Sequence, residues 1–134
     1  MGSERTSFYP TVEATAKAFG LAIKPDSNPT AGYYYRSDHF SMARVGVPAF
    51  SVSEGMKFQG HTPEWGHQQA DDYTAHRYHQ PSDEYKPEMV FTGDAKMAEF
   101  GIALGWKAAN APAMPKWNPG DEFEAARKKS ETGD

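Results

Sequence analysis

Cysteine is absent from the chain. That excludes disulfides, thiolate zinc ligands and a cysteine nucleophile, and leaves His, Asp and Glu as the side chains able to hold a metal. Long apolar runs are missing too: no window reaches the ~20 apolar residues that span a bilayer, and the N-terminus shows no basic stretch followed by an apolar one. A membrane partner is not expected, nothing marks secretion, and the compartment stays open. Like charges never gather into a block; fourteen Lys and Arg against eighteen Asp and Glu give a formal charge of -4. A nucleic-acid partner is therefore not expected either, because the phosphate backbone demands a basic patch.

What is present suits one soluble, folded domain. A length of 134 residues is enough for a modest core, and 13% aromatic content is too high for a disordered chain. From Phe8 the apolar positions Phe8, Val12, Ala16 and Phe19 recur at helical spacing, with Ser7 as cap, Pro10 in the first turn and Gly20 as stop. Leu21 to Ile23 reads as a short strand before the turn-rich "KPDSNPTAG". In "YYYRSDHFSMARVGVPAF", Ser37 and Asp38 open a helix with apolar positions at Phe40, Ala43 and Val45, and Gly46 closes it. Val47 to Ser53, "VPAFSVS", reads as a strand covered on both faces. Residues 54–88 show no sustained period and read as a long functional loop. Thr92 then caps a long helix to about Asn110, with Met97, Phe100, Leu104 and Ala108 on one face. Ile102 and Trp106 widen the apolar arc and imply burial on two sides. Residues 112–134, Pro-rich and then "DEFEAARKKSETGD", whose acids lead and bases trail as a weak terminal helix would prefer, read as a flexible tail.

The chemistry concentrates in the loop. It holds His61, His67, His76 and His79 among Glu54, Glu64, Asp71, Asp72, Asp83 and Glu84, a pool of nitrogen and oxygen donors suited to zinc, cobalt or manganese. His76 and His79 share a face only if that stretch is helical, and Pro81 argues for a loop. Asp38 and His39 form a second pairing of carboxylate and imidazole, at a helix start that leads into a buried strand. A carboxylate there also stabilises the helix terminus with no further role.

"YYYRSDHFSMARVGVPAFSVSEG", followed at this distance by "YHQPSDEY" and a long closing helix, resembles the C-terminal part of the zinc aminopeptidases with a co-catalytic two-metal centre. Glutaminyl cyclases and the transferrin-receptor ectodomain are more distant relatives of that family. "GSERTSFYPTVEATAKAFGLAIKPDSNP" resembles the segment before those motifs, so the likeness extends to about Ala111.

The resemblance implies a metal-dependent hydrolase that cleaves peptide or small ester bonds with metal-activated water. It implies an α/β fold, here a partial three-layer sandwich with a short mixed sheet and packed helices, lacking the N-terminal half of the family domain. Residues 1–111 are the partial domain and 112–134 the tail. His79 matches the last metal ligand, with zinc as the implied metal. Tyr78 matches a tyrosine that hydrogen-bonds the developing oxyanion, and Asp83 an acid that orients the loop or imidazole. Asp38 takes a positioning role at the catalytic site, and His39 and Tyr35 border the substrate pocket. His61, His67 and His76 are substitute ligands if the site has been rebuilt.

In that family the first histidine ligand, the bridging aspartate, an adjacent glutamate pair and a further acid all precede the segment resembled here. This chain has no Glu-Glu pair, and a single metal ligand of the usual set, His79, is retained. A truncated or reduced hydrolase is expected. The alternative is a non-catalytic remnant or binding domain that self-associates through an exposed sheet edge, and in either case a homo-oligomer.

Overall fold

Val12 and Ala16 on one face of the helix α1, Tyr9–Ala18, and its cap residue Phe8 are all buried. Pro10 sits in the first turn, where a missing N–H costs nothing. The helix ends in paired bonds from Leu21 N–H to the Ala16 carbonyl and from Gly20 N–H to the Lys17 carbonyl, with Gly20 at φ 67°. This is the Schellman arrangement, which needs a left-handed residue at that point and so favours glycine. Ser7 does not cap α1; its hydroxyl oxygen accepts the N–H of Lys116 instead.

The computed structural model describes residues 1–26 and 29–133. Four further α-helices follow α1: α2, His39–Arg44; α3, Pro63–His76; α4, Thr92–Ala109; and α5, Glu124–Thr132. Short 3-10 turns cover Ser3–Arg5, Pro29–Ala31 and Tyr33–Arg36. The chain divides into two compact units, one of residues 1–53 with 97–134 and one of residues 54–96.

The expected α/β sandwich does not form. Among the described residues there is no sheet, and the single β-pairing is an isolated antiparallel bridge between Thr6 and Trp117. Leu21–Ile23 and Val47–Ser53 have strand-like composition, but a strand is stable only when neighbouring strands take up its N–H and C=O groups. Here the second segment is satisfied piecemeal. Val47 N–H donates to the Met42 carbonyl, Ser51 N–H to the Met1 carbonyl, and the Tyr34 hydroxyl to the Ala49 carbonyl. With no sheet there is no sheet edge, so self-association by that route is also corrected.

In the first unit α1 packs on α4. Phe8, Val12 and Ala16 meet Phe100 and Leu104, with Phe19, Leu21, Phe50, Met97 and Ala108 around them. Phe19 and Phe100 meet edge to face, ring centroids 5.6 Å apart, a favoured aromatic geometry. The face of α4 expected inward is thus inward. Ile102 and Trp106 are not: each is 73% exposed, so α4 is covered on one side and the widened apolar arc faces solvent.

A second cluster of buried residues joins Tyr34, Ala43, Trp117 and Phe123. Its outer end lies in the segment read as a flexible tail. The Trp117 indole N–H donates to the Gly46 carbonyl at 3.0 Å, and Arg5 forks onto Asp121 through Nε at 2.7 Å and Nη2 at 3.1 Å. These contacts tie Asp121 to the N-terminal turn and Trp117 to the end of α2.

In the second unit, α3 occupies the middle of the stretch expected to lack helix. Thr62 is its cap, accepting the Trp65 N–H at 3.4 Å, Pro63 follows at the first helical position, and Glu64 lies in the first turn. That is an ordinary helix start. The apolar stripe is what is missing: Gly66 is the one buried residue of α3.

Candidate functional site

The residues of "TAHRYHQPSDEY" form the C-terminal end of α3 and the corner that follows it. Arg77 N–H and Tyr78 N–H both donate to the Tyr73 carbonyl, closing the helix. The chain then turns sharply at His79, the one residue other than glycine with positive φ among those described, at 58°. His76, the last residue of the helix, and His79, past its end, therefore do not share a helix face. The His79 ring stacks on Tyr78 with centroids 3.9 Å apart. Tyr73, which the sequence reading missed, connects the corner: its hydroxyl donates to Asp83 Oδ2 at 2.8 Å, and its ring lies 6.0 Å from that of Tyr78. The Asp83 carboxylate, with its hydrogen bond, raises the Tyr73 phenol above its ordinary pKa. Asp83 is thus engaged by a phenol.

The other histidines of this unit have separate partners. His61 stacks on Trp65 at 3.8 Å between centroids. His76 Nδ1 lies 3.1 Å from Asp72 Oδ1, and Arg77 Nη2 3.2 Å from Asp72 Oδ2. His67 is exposed on α3. Glu64 has its carboxyl held below the ordinary value, first by its own backbone N–H, then by the Thr62 hydroxyl.

In the first unit, Asp38 stands at the cap position of α2 without a side-chain cap bond, and the Ser37 hydroxyl donates back to the Tyr33 carbonyl. His39 is half-buried against the Tyr34 ring, centroids 4.6 Å apart. Its Nε2 is buried without a hydrogen-bond partner. Burial depresses its pKa, the nearby N-terminal ammonium adds to this, and Asp38 opposes it. The Tyr35 hydroxyl donates to Glu122 Oε1 at 2.6 Å, an oxygen that also accepts from Arg5 Nη2 at 2.7 Å. This bond holds the Tyr35 phenol above its ordinary value, with burial second. Nothing in the sequence signals the Tyr35–Glu122 pair, because 87 positions separate the two residues.

Residues 1–96 match the family model for peptidase family M28. The chain belongs to peptidase family M28. No characterised protein and no solved structure matches it significantly. The match covers both stretches that carry the resemblance to aminopeptidases, and ends five residues into α4, before the segment bearing Trp117 and Phe123.

The M28 family is generally zinc-dependent. The donors among the described residues do not fit such a centre. Among the described residues no group of three or more His, Asp or Glu side chains is placed to hold a metal, whereas a catalytic zinc takes about three protein ligands. The best local pairing, His76 with Asp72, supplies two donors at an exposed helix end. His79 has an aromatic neighbour, Tyr78, against its face.

Proposed function

We propose that this M28 chain is a reduced relative of the zinc aminopeptidases that carries the substrate side of a peptide- or ester-hydrolysing site and does not turn over by itself. The observation that supports this reading is the Tyr78–His79 corner. It is the segment in which the resemblance places an oxyanion donor and a metal ligand, and its non-glycine left-handed residue is the kind of strained backbone that clusters at functional sites.

In this reading Tyr78, about half exposed, offers its hydroxyl to a carbonyl oxygen that gains charge. Tyr73 and Asp83 hold the corner in shape. No base is assigned, because the chain has no counterpart of the family's glutamate pair. A second reading, a non-catalytic domain that associates with itself, is favoured by the exposed Ile102 and Trp106.

The test is titration of the untagged protein with a leucyl dipeptide amide, followed through Tyr78 and His79 resonances, beside assays of aminopeptidase and esterase turnover. Binding that shifts those resonances and is lost in Tyr78→Ala, with no turnover, supports the proposal. Shifts confined to other residues, or none, contradict it.

A further inference from the structure

The exposed side of α4 carries two adjacent rows at four-residue spacing. Ala98, Ile102 and Trp106 form a ridge that grows toward the C-terminus, and Gly101, Gly105 and Ala109 form a groove beside it; all six are exposed. A Cβ built on Gly101 or Gly105 meets nothing within 4 Å, so the groove is open. Ile102 and Trp106, at 73% exposure each, stand out from the surface.

Rows at i, i+4 are the ridges and grooves by which helices pack, and interlocking one such row with another is the commonest helix–helix geometry, crossing at about -50°. A ridge and a matching groove side by side on one helix make that surface complementary to itself. We propose that two copies of this chain pair through α4 about a two-fold axis, each placing Ile102 and Trp106 into the Gly101–Gly105 groove of the other. An isologous contact needs this reciprocity: the patch that gives the knob also gives the hole.

The occupant is a second copy for two reasons. Knob and hole sit at equal four-residue spacing in adjacent rows of one helix, and the ridge and groove contain no charged side chain, so two copies meet without like charges opposed. The size of the patch sets the strength. A buried tryptophan contributes on the order of 150–250 Å², and with isoleucine and the small residues each copy covers less than the ~800 Å² per partner typical of a stable complex. The dimer is therefore weak and concentration-dependent, and it forms whether or not the site at Tyr78 binds substrate.

The experiment is sedimentation equilibrium of the full chain from about 10 μM to about 1 mM, a range that brackets dissociation constants of weak complexes, for wild type, Ile102→Lys and Gly105→Leu. Gly105→Leu is the decisive variant. Leucine favours the helix over glycine and its Cβ has open space at this position in the monomer, so the fold is expected to be kept, with a raised melting temperature, while the groove is filled. The expected result is a wild-type monomer–dimer equilibrium that Ile102→Lys and Gly105→Leu both weaken at least tenfold. A wild type that stays monomeric to the top concentration overturns the proposal. So does a Gly105→Leu protein that associates as well as wild type or better, since general apolar adhesion would grow with the added leucine.

Discussion

The His79 imidazole lies on the Tyr78 phenol, centroids 3.9 Å apart and planes 21° from parallel, while the His79 backbone is left-handed at φ 58°. A residue with a Cβ gives up about 1–2 kcal/mol in that conformation and glycine does not. His79→Gly is therefore expected to be more stable than His79→Ala by about 1 kcal/mol, read as the difference in urea midpoints at equal slope. Equal midpoints would show that the corner relaxes and the residue is not held there.

Gly46 is constrained more tightly. It has φ 88°, and an added Cβ would collide with the backbone of Ala126 and Arg127, while its carbonyl accepts the Trp117 indole. Gly46→Ala should cost at least about 2 kcal/mol, because a backbone neighbour cannot step aside as a side chain can. Chemical denaturation reports it; an unchanged midpoint would show that α5 does not sit against this loop.

Arg5 links the ends of the chain. Its guanidinium reaches Asp121, whose side chain is 8% exposed, and Glu122, and its carbon lies 4.9 Å from the centroids of both Tyr34 and Phe123. Arg5→Ala leaves the Asp121 carboxylate without its main partner and should cost about 2–4 kcal/mol. Arg5→Lys should recover less than half of that, since ammonium lacks the fork. Equal stability of the lysine variant and wild type would assign the effect to charge alone.

Acid should weaken the first unit through His39. Its ordinary pKa of 6.5 is lowered in the fold, chiefly by burial, so the unfolded chain takes up a proton before the folded one does. Stability is then constant above about pH 7 and falls as pH drops below the unfolded value, until the folded pKa is passed. His39→Gln, which does not titrate, should flatten the stability profile between about pH 7 and 5; an unchanged slope would assign that limb to other groups.

The helices α1 and α4 were legible because their buried residues repeat at helical spacing and their stops are local. The inward face of α4 followed from the positions of Phe100 and Leu104; the exposure of Ile102 and Trp106 did not, because apolar character does not say whether a neighbour exists to cover it. The same limit undid the two strands, since pairing is a property of distant segments and "VPAFSVS" contains no information on its partner. The helix α3 escaped notice although Thr62, Pro63 and Glu64 mark its start, because hydrophobic periodicity is silent on an exposed helix. At the candidate site, the Tyr78–His79 adjacency was readable, and the Tyr73–Asp83 bond was within reach at ten positions' separation. The Arg5–Asp121 pair, 116 positions apart, was not.

The claim that the chain presents a substrate-side corner without completing a metal centre is tested most directly by zinc stoichiometry on untagged protein equilibrated with zinc and desalted. Hydrolysis of a leucyl anilide is measured on the same samples of wild type and His79→Ala. Well under one bound zinc per chain is expected, with the same value in the variant and no turnover in either. One or more zinc ions per chain with hydrolysis that falls by about 10–100-fold or more in His79→Ala would contradict it.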